Sequence, residues 1–268
     1  MLTDSTIIVR GGGDLATGVI YRLFRAGCRI VVLELENPRS VRRSVSASQA
    51  IISGEHIVEG VIFRRSDIGD VPTLSRDVIP VIVDPKGASI EYLNPGFIVD
   101  ARMLKRDIDS DYDTDCFVVG LGPGFVVGKN CDVVIETKRG HSLGKAFYDK
   151  GAQAIPDTGV PEQVNGVKGN RVVRAPCTGT ISNCAEIGDT LLVGDCIAVV
   201  NAEEVLVQIS GVLRGLIQDG IEVSRNEKIA DVDPRNIVEY CYTISDKALA
   251  IGGGVLESIL YGICLKSH

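Results

Sequence analysis

The residues best suited to chemistry cluster at a glycine turn near the start. Ile7-Ile8-Val9 leads through Arg10 into Gly11-Gly12-Gly13-Asp14-Leu15-Ala16. Gly11 suits a tight turn, Gly13 lets the backbone approach a phosphate, and Ala16 gives the small residue needed where helix and strand pack closely. A helix opening at Asp14 would aim its free N–H groups at an anion. Glu34 stands 23 residues after Gly11, about where a carboxylate grips a ribose hydroxyl. A second polar cluster is Glu136-Thr137-Lys138-Arg139-Gly140-His141. His141 changes charge near neutral pH, so it is the candidate acid or base. Lys138 and Arg139, with Arg42 and Arg43, are candidates to receive phosphate, which suits guanidinium geometry. A third candidate loop is Gly120-Leu121-Gly122-Pro123-Gly124, whose glycines admit a ligand close to the backbone. Together these residues fit an NAD(P)-like nucleotide or another small phosphate-bearing ligand.

Positioning them requires a β-α-β start. Leu15 to Ala26 is amphipathic, and Ile30-Val31-Val32-Leu33 is a second apolar run ending at Glu34. Ser40 to Ile52 reads as a helix carrying Arg42 and Arg43. Strands are expected at Val61–Phe63, Val81–Val83, Phe97–Val99, Cys116–Val119 and Val133–Ile135. Short buried strands with intervening segments favour a largely parallel, Rossmann-like α/β sheet. In such a sheet the residues after each strand share one rim, where ligands collect. Near the end, Ser245 or Asp246 caps a helix that runs into Gly252-Gly253-Gly254. A glycine costs about 1 kcal/mol in a helix interior relative to alanine, so a run of three expects a close backbone neighbour or a break.

From about residue 171 the texture becomes all-β. Gly179, Gly188, Gly194 and Ile197 recur as Gly211, Gly220, Asn226 and Ile229, each offset by 32. Two similar halves of this kind resemble the barrel-sandwich hybrid of biotinyl and lipoyl carrier domains. A carrier holds a lysine at the hairpin joining its halves, yet no lysine occurs from Ala175 to Val212. Between Ala175 and Arg235 ten acids face four bases, which suits scaffolding or docking of a protein. The expected organisation is a Rossmann-like domain over 1–170, an inserted barrel-sandwich module over 171–235, and a helical segment over 236–268 packing back on the α/β domain.

Composition bounds the function. The chain has 268 residues, 45% hydrophobic and 24% charged, with a net charge of −7. That balance argues against a nucleic-acid partner. Asp4 and Arg10 interrupt the start, and the apolar stretch from Ala248 to Leu265 is short for a bilayer span. A cytoplasmic protein without a membrane role is expected. Eight cysteines show no C-x-x-C pair, so no metal site is expected. Cys177 stands on a turn, either as a reactive thiol or without a role. Asp157-Thr158-Gly159 lacks the second copy an aspartic protease needs, and reads as a turn or a ligand contact.

Several of these segments occur together in a known family. Arg10 to Gly18, Arg42-Arg43-Ser44-Val45, Gly120 to Phe125, Glu136 to His141 and Asp157-Thr158-Gly159 fit it. So do Arg174-Ala175-Pro176, Gly211 to Leu216, Asp231-Val232-Asp233-Pro234-Arg235 and Ala250 to Glu257. With them the chain resembles the YqeB-type accessory proteins of selenium-dependent molybdenum hydroxylases. The resemblance implies a role in maturing a molybdenum hydroxylase, in handling a labile selenium or sulfur ligand of its cofactor. The ligand would then be molybdopterin-type, and the partner the hydroxylase or another maturation factor. The start also resembles, more loosely, the XdhC-type chaperones of sulfurated molybdenum cofactor. Self-association stays open, as do a nucleotide-dependent oxidoreductase using His141 and a non-catalytic scaffold.

Overall fold

Nine short strands form one sheet in the computed structural model, which describes residues 5–104, 108, 115–156 and 170–266. In chain order these elements are β1 (Thr6–Arg10), α1 (Asp14–Arg25), β2 (Arg29–Glu34), α2 (Gln49–Ser53), β3 (Glu55–Val58), β4 (Val61–Arg65), β5 (Val78–Val83), α3 (Ser89–Leu93), β6 (Phe97–Asp100), β7 (Phe117–Leu121), β8 (Val133–Ile135) and β9 (Ala146–Phe147). The strand order is β3-β4-β5-β2-β1-β6-β7-β8-β9. The seven inner strands are parallel; β3 and β9 run antiparallel at the two edges. Both faces of the central strands are covered, so they read as unbroken apolar runs without alternation. Ile8, Val9, Val31, Val32, Ile98, Val119 and Val133 are all fully buried.

The rest of the chain adds β10 (Val172–Arg174), β11 (Gly179–Asn183), β12 (Thr190–Leu191), β13 (Cys196–Val200), β14 (Glu203–Leu206), β15 (Gly211–Leu216), β16 (Glu222–Val223), β17 (Lys228–Asp233) and α4 (Asp246–Lys266). Two compact units result. The first holds the nine-stranded sheet and α4, with described residues 5–36, 46–104, 108, 115–156 and 244–266; the second holds 37–45 and 170–243.

In the first unit α4 lies along α1. A Cβ on Gly18 would stand 2.5 Å from the Ala248 backbone, and one on Gly252 would stand 2.6 Å from the Gly18 carbonyl oxygen. Two of the three consecutive glycines are thus contact points, Gly254 meeting the Gly144 backbone, and the helix runs through them unbroken. Ile251, Val255 and Ile259 are fully buried. Among the described residues α4 is the one helix long and apolar enough to cross a membrane. Part of that apolar surface is buried against α1, while Leu260, Tyr261 and Leu265 are exposed.

The continuous helix expected from Ser40 to Ile52 does not form. A 3₁₀ turn at Arg43–Val45 is followed by the separate α2, and residues 37–45 belong to the second unit. The guanidinium groups of Arg42 and Arg43 bond carbonyls of the second unit, as described below, so the segment's polar partners lie in that unit and not along a helix face.

The second unit contains two four-stranded antiparallel sheets, β10-β17-β15-β12 and β14-β13-β11-β16. Adding 32 to the residue numbers of β11, β12 and β13 gives the first residues of β15, β16 and β17, and maps β10 into β14. That exchange converts one sheet order into the other. Register follows: Ile181↔Val200 becomes Leu213↔Val232, and Thr180↔Glu222 becomes Val212↔Thr190. Even the irregularity in β13 beside β14 recurs in β17 beside β10. One core joins Ile181, Ile197, Val200, Leu213, Ile229 and Val232.

Candidate functional site

The glycine turn after β1 is built as its residue types demand. Gly11 has φ +90°, a conformation that strains any residue with a Cβ, and its N–H donates to the Leu33 carbonyl at 2.8 Å. A side chain there would also press on the Ala101 carbonyl at 3.1 Å. Gly12 donates to Glu34 Oε2 at 2.7 Å and accepts from the Ser48 N–H at 2.9 Å. Gly13 caps α1 through its backbone, with no side chain capping the helix. Its carbonyl accepts from Thr17, whose hydroxyl in turn accepts from the Ala47 N–H at 2.9 Å. Asp14 opens the helix, and Ala16 is buried against the sheet, as its small size predicted.

Parallel pairing places the loops after β1, β6, β7 and β8 at one rim. The loop after β6 meets Gly11 through Ala101 and meets Gly122 through Met103. Gly122, at φ +79°, lies with its Cα facing the Thr137 hydroxyl of the loop after β8, and its N–H donates to the Ile135 carbonyl at 2.9 Å. Gly124 is exposed in the same turn. Gly144 abuts Ala250 of α4, and Arg139 forks onto Asp246 at 2.6 Å. Lys138 and His141 are exposed on this loop.

Acids ending the strands hold the rim together by accepting backbone N–H groups. Glu34 accepts from Gly12 and, at 2.7 Å, from Leu35. Burial pushes its carboxyl above the usual range, against the pull of those two N–H groups. Asp84 accepts from the N–H groups of Gly87, Ala88 and Ser89 and from the Ser89 hydroxyl. Burial raises the Asp84 carboxyl, but these four donors outweigh it and hold it below its ordinary value. Glu136, fully buried, accepts from Lys138 at 2.7 Å and Ile155 at 2.8 Å. Glu34 was expected to face a ribose hydroxyl; in the structure it turns back onto the glycine loop.

Three expected site residues have other partners. Arg42 is 7% exposed and donates to the Tyr240 and Thr243 carbonyls at 3.0 and 3.1 Å. Arg43 donates to the Leu216 carbonyl at 3.1 Å. Both therefore tie 37–45 into the second unit rather than line the rim of the first. Gly120 sits inside β7, where a Cβ would collide with the buried Phe125 ring, so its smallness serves packing. The Asp157-Thr158-Gly159 motif lies outside the described residues.

The rim also contains residues whose roles the sequence did not reveal. Arg10 is 2% exposed and donates to the Pro85 carbonyl at 3.1 Å. Arg102 forks onto Asp100, its terminal nitrogen 2.6 Å from Oδ2. An arginine ending an apolar strand and an Asp-x-Arg at a strand end were the available signals. Among the described residues no group of three metal-ligating side chains occurs.

The fold is thus mixed α/β, with a large, mostly parallel sheet and two smaller antiparallel ones. No family model matches the chain. A protein of Escherichia coli (strain K12), termed "Uncharacterized protein YqeB", is 41% identical over 256 residues, covering 95% of this chain and 47% of that protein. The chain therefore spans about half the length of this relative, and the identity supports the YqeB-type resemblance over that half. An aspartoacylase family protein from Mesorhizobium loti aligns with TM-score 0.26 and 10% identity, over 86% of this chain and 84% of its own. A succinylglutamate desuccinylase/aspartoacylase from Rhodobacter sphaeroides aligns with TM-score 0.27 and 15% identity, over 86% and 85%. Likenesses this slight carry neither fold nor function across.

Proposed function

We propose that the strand-end rim of the first unit, from the glycine turn at 11–13 to Lys138 and Arg139, binds a phosphate-bearing ligand. The ligand is a nucleotide or a molybdopterin-type cofactor. The protein would serve as an accessory factor in maturing a selenium-dependent molybdenum hydroxylase, holding cofactor in the cytoplasm for that partner. One observation supports the ligand reading most: four loops following parallel strands touch in succession, from the glycine turn at the N-terminus of α1, which no side chain caps, to Thr137. The maturation role rests on the YqeB-type resemblance. In this reading the first unit is Rossmann-like, and the second is a barrel-sandwich hybrid without carrier chemistry. The hairpin between β13 and β14, at Asn201-Ala202, carries no lysine.

Calorimetric titration with NAD(P), simple nucleotides and molybdopterin-type phosphates tests this. One of these ligands is expected to bind, and Gly13→Val is expected to weaken it at least tenfold while thermal unfolding stays cooperative. Equal affinity in both proteins, or no binding by any of them, would overturn the proposal.

A further inference from the structure

We propose that Cys184 and Cys196 form a reversible dithiol–disulfide site on the outer face of the second unit. The strand pattern brings them together. Along β13, Val200 and Ala198 lie opposite Ile181 and Asn183 of β11. Strict alternation would then turn Ile197 outward, yet Ile197 is fully buried. The irregularity where β13 meets β14 explains this. Pairing steps from Ala198↔Val205 to Cys196↔Leu206, leaving Ile197 as the extra residue. The bulge keeps Ile197 in the core and turns Cys196 toward the outer face. Cys184, just past β11, is already there, its N–H donating to the Ile197 carbonyl at 2.9 Å.

Cys184 is exposed and Cys196 half-buried, so a small oxidant can reach the pair. The Cys184 thiol donates to the Ser182 carbonyl at 3.9 Å and the Cys196 thiol to the Ala198 carbonyl at 3.3 Å, so neither is committed to a strong bond. Partial desolvation, the Cys196 sulfur, and the charges of Glu204 and Asp219 all push the Cys184 thiol above its ordinary value. Attack at neutral pH is therefore slowed. The oxidant is a low-molecular-weight disulfide. The Cys184 thiolate attacks one of its sulfurs, the S–S bond breaks, and one small thiolate leaves. The Cys196 thiolate then attacks Cys184 in the mixed disulfide, forming the protein S–S bond and expelling the second small thiolate. The protein thiols lose two protons and two electrons, and the small disulfide becomes two thiols.

The test incubates the full chain with oxidised glutathione, alkylates the remaining thiols and maps the peptides. A Cys184–Cys196 linked peptide is expected, with free thiols falling from eight to six and dithiothreitol restoring them. Cys184→Ser should abolish that peptide. Three results would overturn the proposal: stable glutathione on Cys184 without linkage, thiol loss confined to other cysteines, or no oxidation at all. If the variant does not fold, mapping the wild-type chain alone decides.

Discussion

Among the described residues the same three-residue fork occurs in each unit. In the first, Arg102 bends back so that its N–H and guanidinium clamp Asp100 at the end of β6. In the second, Arg235 clamps Asp233 at the end of β17 in the same way. The settings differ. Asp233 is also approached by Arg214 at 3.4 Å, and its neighbour Asp231 pairs with Arg171 at 2.7 Å. Burial raises the Asp233 carboxyl, and Arg235 and Arg214 together outweigh it, holding it below its ordinary value. One motif thus ends a parallel strand at a loop rim in one place and anchors a cross-strand ion network in the other.

Removing the acid should separate the two settings. Asp233→Ala leaves the largely buried Arg214 without this carboxylate, Arg235 being 35% exposed, and should cost about 3 kcal/mol in urea unfolding. Asp100→Ala removes a charge-assisted fork and should cost about 2 kcal/mol. Equal losses would erase the distinction. Glu34→Gln should cost about 1 kcal/mol, because the amide oxygen still accepts one N–H of the glycine turn. Arg139→Gln breaks a half-exposed pair with Asp246 and should change stability by less than about 1 kcal/mol. The same substitution should lower the salt dependence of any anion bound at the rim.

Acid titration sharpens the comparison with opposite signs. Asp233, Asp84 and Glu227 have lowered carboxyls; burial raises Glu227 too, but Arg39 and the Ser224 N–H outweigh it. Their stabilisation is complete above the ordinary carboxylate range and is lost as pH falls through the lowered values. Glu34 is raised, so its contribution is complete below its ordinary value of 4.5 and is lost as pH rises through the raised one. Glu34→Gln should therefore gain on the wild type as pH rises from there toward neutrality, and Asp233→Asn should flatten the acid limb. Parallel pH profiles for both variants would contradict these assignments.

The seven parallel strands of the first sheet were legible because each is an apolar run ending at a charge or a glycine; the edge strands were not, since β3 begins with Glu55-His56 and β9 has two residues. The repeat in the second unit was legible from Gly179/Gly211 and Gly188/Gly220, although β10 and β14 escaped notice: neither carries the glycine signature. The site was less legible. Arg42 and Arg43 looked like phosphate ligands because a sequence cannot show which carbonyls an arginine will meet. Glu34 was read as a ligand contact, but like Asp84 and Glu136 it fastens a loop backbone. A carboxylate serving an N–H group and one serving a hydroxyl have the same sequence signature. Gly120 resembled a ligand glycine because its real neighbour, Phe125, stands five residues on, across a turn the sequence does not draw.

The strand exchange of the second unit bears on how it folds. Each sheet takes two strands from the first 32-residue copy and two from the second, so neither copy makes a sheet alone. Nucleation must wait until both copies have left the ribosome, and early pairing is between distant segments. A chain ending near Val200 should be protease-sensitive, and its complement from Glu203 onward should restore resistance when the two are mixed.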